Sequence, residues 1–169
     1  IHQSQLQTIK ELFLQPENTF CKPYEETQSF KSMQNIDTKY FSIIEGDDNW
    51  CDENKIQTAI EFLESHPEYS GWASDTKQIE SNSGIEHSWV HDVGKLKIKN
   101  PVTFGNPKLF LMTSARFFRN LGYKDLKILP VDYMVWNYHL EKGPVFYYDK
   151  ITSEYVYGGN PASFTSLES

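Results

Sequence analysis

The run Tyr40-Phe41-Ser42-Ile43-Ile44 is nearly continuous in apolar character and stops abruptly at Glu45-Gly46-Asp47-Asp48-Asn49-Trp50. A short apolar run of this kind reads as a buried strand of the type found inside parallel sheets. A helix is expected to start near Asp52. Ile56, Ala59, Ile60 and Leu63 recur at helical spacing and form one apolar stripe. Asp52 and Glu53 suit the positive end of the helix dipole, and Pro67 closes the segment. Tyr69 to Ala73 predicts a further strand. Residues 40–73 therefore read as strand, acidic turn, helix, strand: an α/β unit whose loop sits at the carboxyl end of a strand.

The rest of the chain is compatible with that class. Leu6, Ile9, Leu12 and Phe13 predict an amphipathic helix over about 3–14, and Phe30 and Met33 mark a weaker one over 25–35. Residues 75–87 are polar and predict a surface loop. Gly94, Pro101 and Gly105 break 93–106 into short extended pieces. A short helix is expected from Thr113 or Ser114, with Gly122 as its stop. Pro130 precedes a better helix over 131–141, with Met134, Val135 and Tyr138 inside and Gly143 as its end. Two strands follow, near 144–148 and 151–157. One domain over 1–160 and a tail over 161–169 are expected.

Charge and cysteine content narrow the function classes. The 169 residues include 16 basic and 23 acidic side chains, a formal charge of −7. Nucleic acid and anionic membranes call for a cationic footprint, so nucleic acid is not an expected partner. The 11 Phe, 10 Tyr and 4 Trp argue for a packed core rather than disorder. Cys21 and Cys51 are too few for a disulfide framework and read as free thiols in a reducing compartment, a single bridge being the alternative, with Cys51 buried rather than nucleophilic. The chain begins at Ile1, with no signal-peptide pattern, and reads as a piece of something longer.

Glu45, Asp47 and Asp48 carry the most chemistry. Three acids within four residues repel one another unless a cation joins them. Mg²⁺ or Mn²⁺ prefers oxygen ligands and is commonly shared with substrate phosphates. Gly46 lets the backbone turn tightly beside a ligand. The alternative is a solvated acidic turn that also caps the next helix.

The segment from Tyr40 to Gln57, continued by Leu63-Glu64-Ser65-His66-Pro67-Glu68-Tyr69, resembles the core of family 2 glycosyltransferases. A bacterial branch of that family carries E-G-D-D-Y-W, then x-D-P-x-K-[LI]-Q and a "HPEY"-like end. More weakly, Asn100 to Gly105 and Thr113 to Asn120 fit its acceptor-side segment. Val131-Asp132-Tyr133-Met134-Val135-Trp136 resembles its E/G-D-x-x-L-W motif, and Lys142 to Tyr148 and Ser153 to Tyr157 fit the strands after it.

The resemblance implies a GT-A-like, three-layer α/β/α fold with a mixed central sheet, truncated at its N-terminus. It implies sugar transfer with inversion from a nucleotide-sugar donor, a UDP-sugar first, to a glycan or lipid-linked saccharide. Asp48 would bind Mn²⁺ or Mg²⁺, with Asp47 near the metal or the ribose. Glu45 would assist through water. Apart from the resemblance, most aromatics read as core, and Trp50 and Trp89 are the ones assigned a ligand role, stacking on a sugar face. Asp132 would be the general base; taken alone, it reads as a helix cap after Pro130. A cytoplasmic setting, with peripheral membrane association, is the implied location.

The chain also departs from the family. The opening strand–helix–strand that holds the nucleotide base is not found, and no uracil-reading residue is carried over. Tyr155-Val156-Tyr157-Gly158 stands where the branch often has Y-R-x-H, so a third metal ligand is not found. A non-catalytic domain of the same fold, used for binding or assembly, is thus a rival reading. A carbohydrate-binding module with exposed aromatics, Trp50 and Trp89 among them, is another. His87, His91 and Asp92 form an H-x-x-x-H-D pattern that would suit zinc on a helix, but no H-E-x-x-H is present.

Overall fold

A computed structural model describes residues 35–45, 48–104, 111–123 and 132–158. The expected helices over 3–14 and 25–35 and the tail over 161–169 lie outside, or almost wholly outside, these residues.

The elements follow in the order β1 (Tyr40–Phe41), β2 (Asp48–Trp50), α1 (Lys55–Ser65), β3 (Gly71–Glu80), β4 (Glu86–Ser88), a π-helical turn (Trp89–Val93), a 3₁₀ turn (Thr113–Ala115), β5 (Arg116–Arg119), α2 (Asp132–Lys142) and β6 (Val145–Tyr157). They build a mixed α/β structure on one six-stranded sheet. Its order is β1-β5-β3-β6-β2, with β4 also on β3. β3 and β6 run parallel, and the other pairs are antiparallel.

Strand alternation sorts the apolar residues into two cores. Trp72 and Phe117 join Ala59 and Leu63 of α1, with Phe146 packed alongside. The next residue of each strand, Ala73, Phe118 and Tyr147, joins Val135, Trp136 and Leu140 of α2. The sheet thus separates a core containing α1 from a core containing α2.

Helix α1 follows most of its predicted stripe: Ala59 and Leu63 are fully buried and Ile60 packs beside them, but Ile56 is exposed. It starts later than expected. Asn54 occupies the N-cap, and Asp52 precedes the helix and accepts the Asn54 N–H at 2.9 Å. At the other end Arg119 of β5 donates to the Leu63 carbonyl at 2.6 Å and to the Tyr69 carbonyl at 3.2 Å. The Leu63 carbonyl, in the last turn of α1, would otherwise lack a helical partner.

Four expectations need correction. The 40–44 run forms only a two-residue strand at the sheet edge, antiparallel to β5, and Ile44 is exposed. Its apolar pattern arises because Phe41 and Ile43 face the α2-side core. The expected loop over 75–87 is instead the second half of β3, a turn, and β4. Asp75, Thr76 and Gln78 are buried there while 81–86 are exposed; Thr76 pairs with Ser153 at 3.0 Å, and the preceding Ser74 with Thr152 at 2.6 Å. The expected helix after Thr113 is one 3₁₀ turn and then β5. Phe117 and Phe118 serve opposite faces there, which a strand allows. The two C-terminal strands are one, with register shifts beside Asp75 that absorb the extra residues near 149–150.

Candidate functional site

The acidic turn, the start of α1 and the 3₁₀ turn meet. Asp48 opens β2, opposite Tyr155, and donates its backbone N–H to the Glu45 carbonyl at 3.1 Å. Its side chain is buried while Glu45 is exposed. Asp47 and Gly46 lie outside the described residues.

Trp50 is half-buried, and its indole N–H donates to the Ser114 carbonyl at 2.9 Å. The same carbonyl accepts the ammonium of Lys55, which stands 5.1 Å from the Trp50 ring centre. Lys55 is 1% exposed, although it is the first residue of a helix. Burial pulls its pKa down to about 7, opposed by attraction to Cys51, Asp48 and Asp52. A buried cation thus sits in the field of Asp48. The Ser114 hydroxyl is buried in the same place and makes no hydrogen bond among the described residues.

Lys55 is the residue that sequence reasoning passed over. A signal was there: a cation in the first turn opposes the helix dipole, so its place needs another cause.

Cys51 is a free thiol but exposed, which corrects the expectation of burial. Partial burial and the nearby Glu154 push its pKa up, away from the thiolate. Asp132 is the first residue of α2.

The His87, His91 and Asp92 pattern falls on two elements. His87 lies on β4. Asp92 accepts the Ser88 N–H at 2.7 Å, and His91 pairs with Asp149 at 2.8 Å. The buried Asp75 stands beside them. It accepts the Val90 N–H at 2.9 Å, the Thr76 N–H at 2.7 Å and the Ser88 hydroxyl. That carboxylate is the hub that ties the π-helical turn to β3. Trp89 is half-buried against the α2-side core. Among the described residues no three His, Cys, Asp or Glu side chains are grouped to hold a metal ion. Nor is any helix among them long and apolar enough to cross a membrane.

No protein-family model matches the chain, and no curated protein matches it.

Proposed function

We infer that the chain is a GT-A-like, three-layer glycosyltransferase domain that moves a sugar from a nucleotide-sugar donor to a saccharide hydroxyl with inversion. The observation that supports this reading is the buried Asp48 at the start of β2, joined by a turn to Glu45 and packed beside the 3₁₀ turn. Buried carboxylates are rare without a cationic or hydrogen-bonding task.

The residues fit a hard divalent cation in chemistry, because Asp48 and Glu45 offer only oxygen. Asp48 would hold Mn²⁺ or Mg²⁺ with Asp47. When bound, the ion neutralises charge on the donor diphosphate.

The chain's own residues have separate tasks. Trp50 and Lys55 fix the Ser114 carbonyl and so hold the 3₁₀ turn in place beside Asp48. Asp132, the first residue of α2, would be the general base. It would take the proton from the acceptor hydroxyl. The acceptor oxygen then attacks the anomeric carbon from the face opposite the nucleotide, and the bond to the diphosphate breaks.

A non-catalytic domain of the same fold is the second reading. Lys55 favours it, since below its lowered pKa of about 7 its ammonium already supplies positive charge near Asp48.

Thermal unfolding with Mn²⁺ and a panel of nucleoside diphosphates separates the two, because a ligand of the folded state raises Tm by mass action. A rise that needs both metal and nucleotide, and vanishes in Asp48→Ala, is the expected result. No rise with any nucleotide would transfer the case to the non-catalytic reading.

A further inference from the structure

The chain is acidic overall, but not evenly so. From Val93 to Lys124 there is no aspartate or glutamate, against seven lysines and arginines. Arg116 and Arg119 are engaged internally, on the Leu111 and Leu63 carbonyls. Lys95, Lys97 and Lys99 are not. All three are exposed, and none forms an ion pair among the described residues.

The lysines alternate with Leu96 and Ile98, which pack against the α2-side core. That packing turns the lysines outward. The segment is also fixed at both ends. Leu96 donates to the Val90 carbonyl at 2.8 Å. Asn100 clamps Tyr147 of β6, donating to its carbonyl at 2.8 Å and accepting its N–H at 2.7 Å. Val102 pairs with Val145.

Between these anchors lies a cleft of about 280 Å³, lined by Lys97, Lys99 and Thr103 with Leu96, Ile98 and Pro101. It approaches the low end of ligand-pocket sizes, about 300–1,000 Å³. It adjoins the start of β6, whereas Asp48 pairs near that strand's other end. It is therefore separate from the site around Asp48.

We propose that this cleft binds a soluble, phosphate-bearing small molecule. Lys97 and Lys99 would take the phosphate, Thr103 a hydroxyl, and the exposed Pro101 the ligand's less polar face. Two ammonium groups without acidic partners favour an anion, and the shape selects the source. A concave site suits a discrete ligand. A bilayer would also require apolar side chains free to insert, and Leu96 and Ile98 are committed to the core.

The test titrates the full chain with glucose 6-phosphate at low salt, following backbone amides by NMR, with glucose as the uncharged control. Saturable shifts confined to Leu96–Thr103, absent with glucose, are expected. The Lys97→Gln/Lys99→Gln pair should weaken binding at least tenfold without moving Tm, and Lys97→Arg/Lys99→Arg should retain it. No saturable shift, or equal binding by the Gln pair, overturns the proposal. So does sedimentation of the chain with phosphatidylglycerol vesicles when glucose 6-phosphate gives no shift, since the patch would then serve a membrane surface.

Discussion

Three buried polar groups govern stability at this scale, and two of them, His139 and Lys55, make it depend on pH. His139 is fully buried, hydrogen-bonded to the Tyr123 hydroxyl and stacked on Phe118 at 4.0 Å. Burial pulls its pKa down to about 3 from an ordinary 6.5. Between those values the unfolded chain binds the proton that the folded chain refuses, so stability falls as pH drops from 6.5 toward 3. Lys55 acts with the same sign at higher pH. Its pKa is about 7 folded and 10.5 ordinarily, so stability rises as pH climbs from 7 toward 10.5. Each unit of separation corresponds to about 1.4 kcal/mol over the full window. Urea unfolding of His139→Gln should show a shallower loss between pH 6.5 and 4 than the parent. Lys55→Met should show a shallower gain between pH 7 and 9.5. Parallel slopes in either comparison would mean that the group titrates normally in the fold. Asp75 is the third group. Removing its carboxylate leaves two buried N–H groups without their acceptor, so Asp75→Ala should cost roughly 3 kcal/mol in chemical denaturation. A loss under about 1 kcal/mol would mean that water replaces it.

At the scale of elements, β3 and β5 fit too closely to admit another carbon. A Cβ on Gly71 would stand 2.7 Å from Phe118 Cδ1 and 3.1 Å from the Phe117 carbonyl oxygen. Gly71→Ala should therefore destabilise by about 1–3 kcal/mol, read from the urea midpoint. An unchanged midpoint would show that the Phe118 ring moves aside without cost. Helix α1 was legible because its apolar period has a single explanation. Helix α2 was legible because Pro130 and Gly143 bracket it. The second half of β3 was not, since Ser74, Asp75, Thr76 and Gln78 look like solvent-facing residues. Ser74 and Thr76 are satisfied by hydroxyl partners 78 and 77 positions away on β6, and Asp75 by the π-helical turn, which no local pattern reveals. β5 was hidden for a related reason. Phe117-Phe118 is equally consistent with a helix until partners on both sides are known. In the candidate site the acids were legible by clustering. Lys55 was not, because its burial depends on the distant Ser114 carbonyl.

For the whole molecule, β6 closes the structure. It is the partner of β2 and the longest neighbour of β3, and it comes last among the described elements. The sheet therefore assembles from pairings distant in sequence, which favours slow folding. A chain ending at Gly143 should lack a cooperative melting transition and give a collapsed amide spectrum. A dispersed spectrum would mean that β1, β5 and β3 suffice with the helices.

The split of Phe117 and Phe118 between two cores has a further consequence. Although covalently adjacent, they belong to compartments with separate neighbours, one shared with α1 and the other with α2. Double-mutant cycles across the sheet, such as Leu63→Ala with Leu140→Ala, should then be additive within about 0.5 kcal/mol, while pairs on one side should couple. The molecule can thus be re-engineered one side at a time, with the backbone of the sheet as the partition.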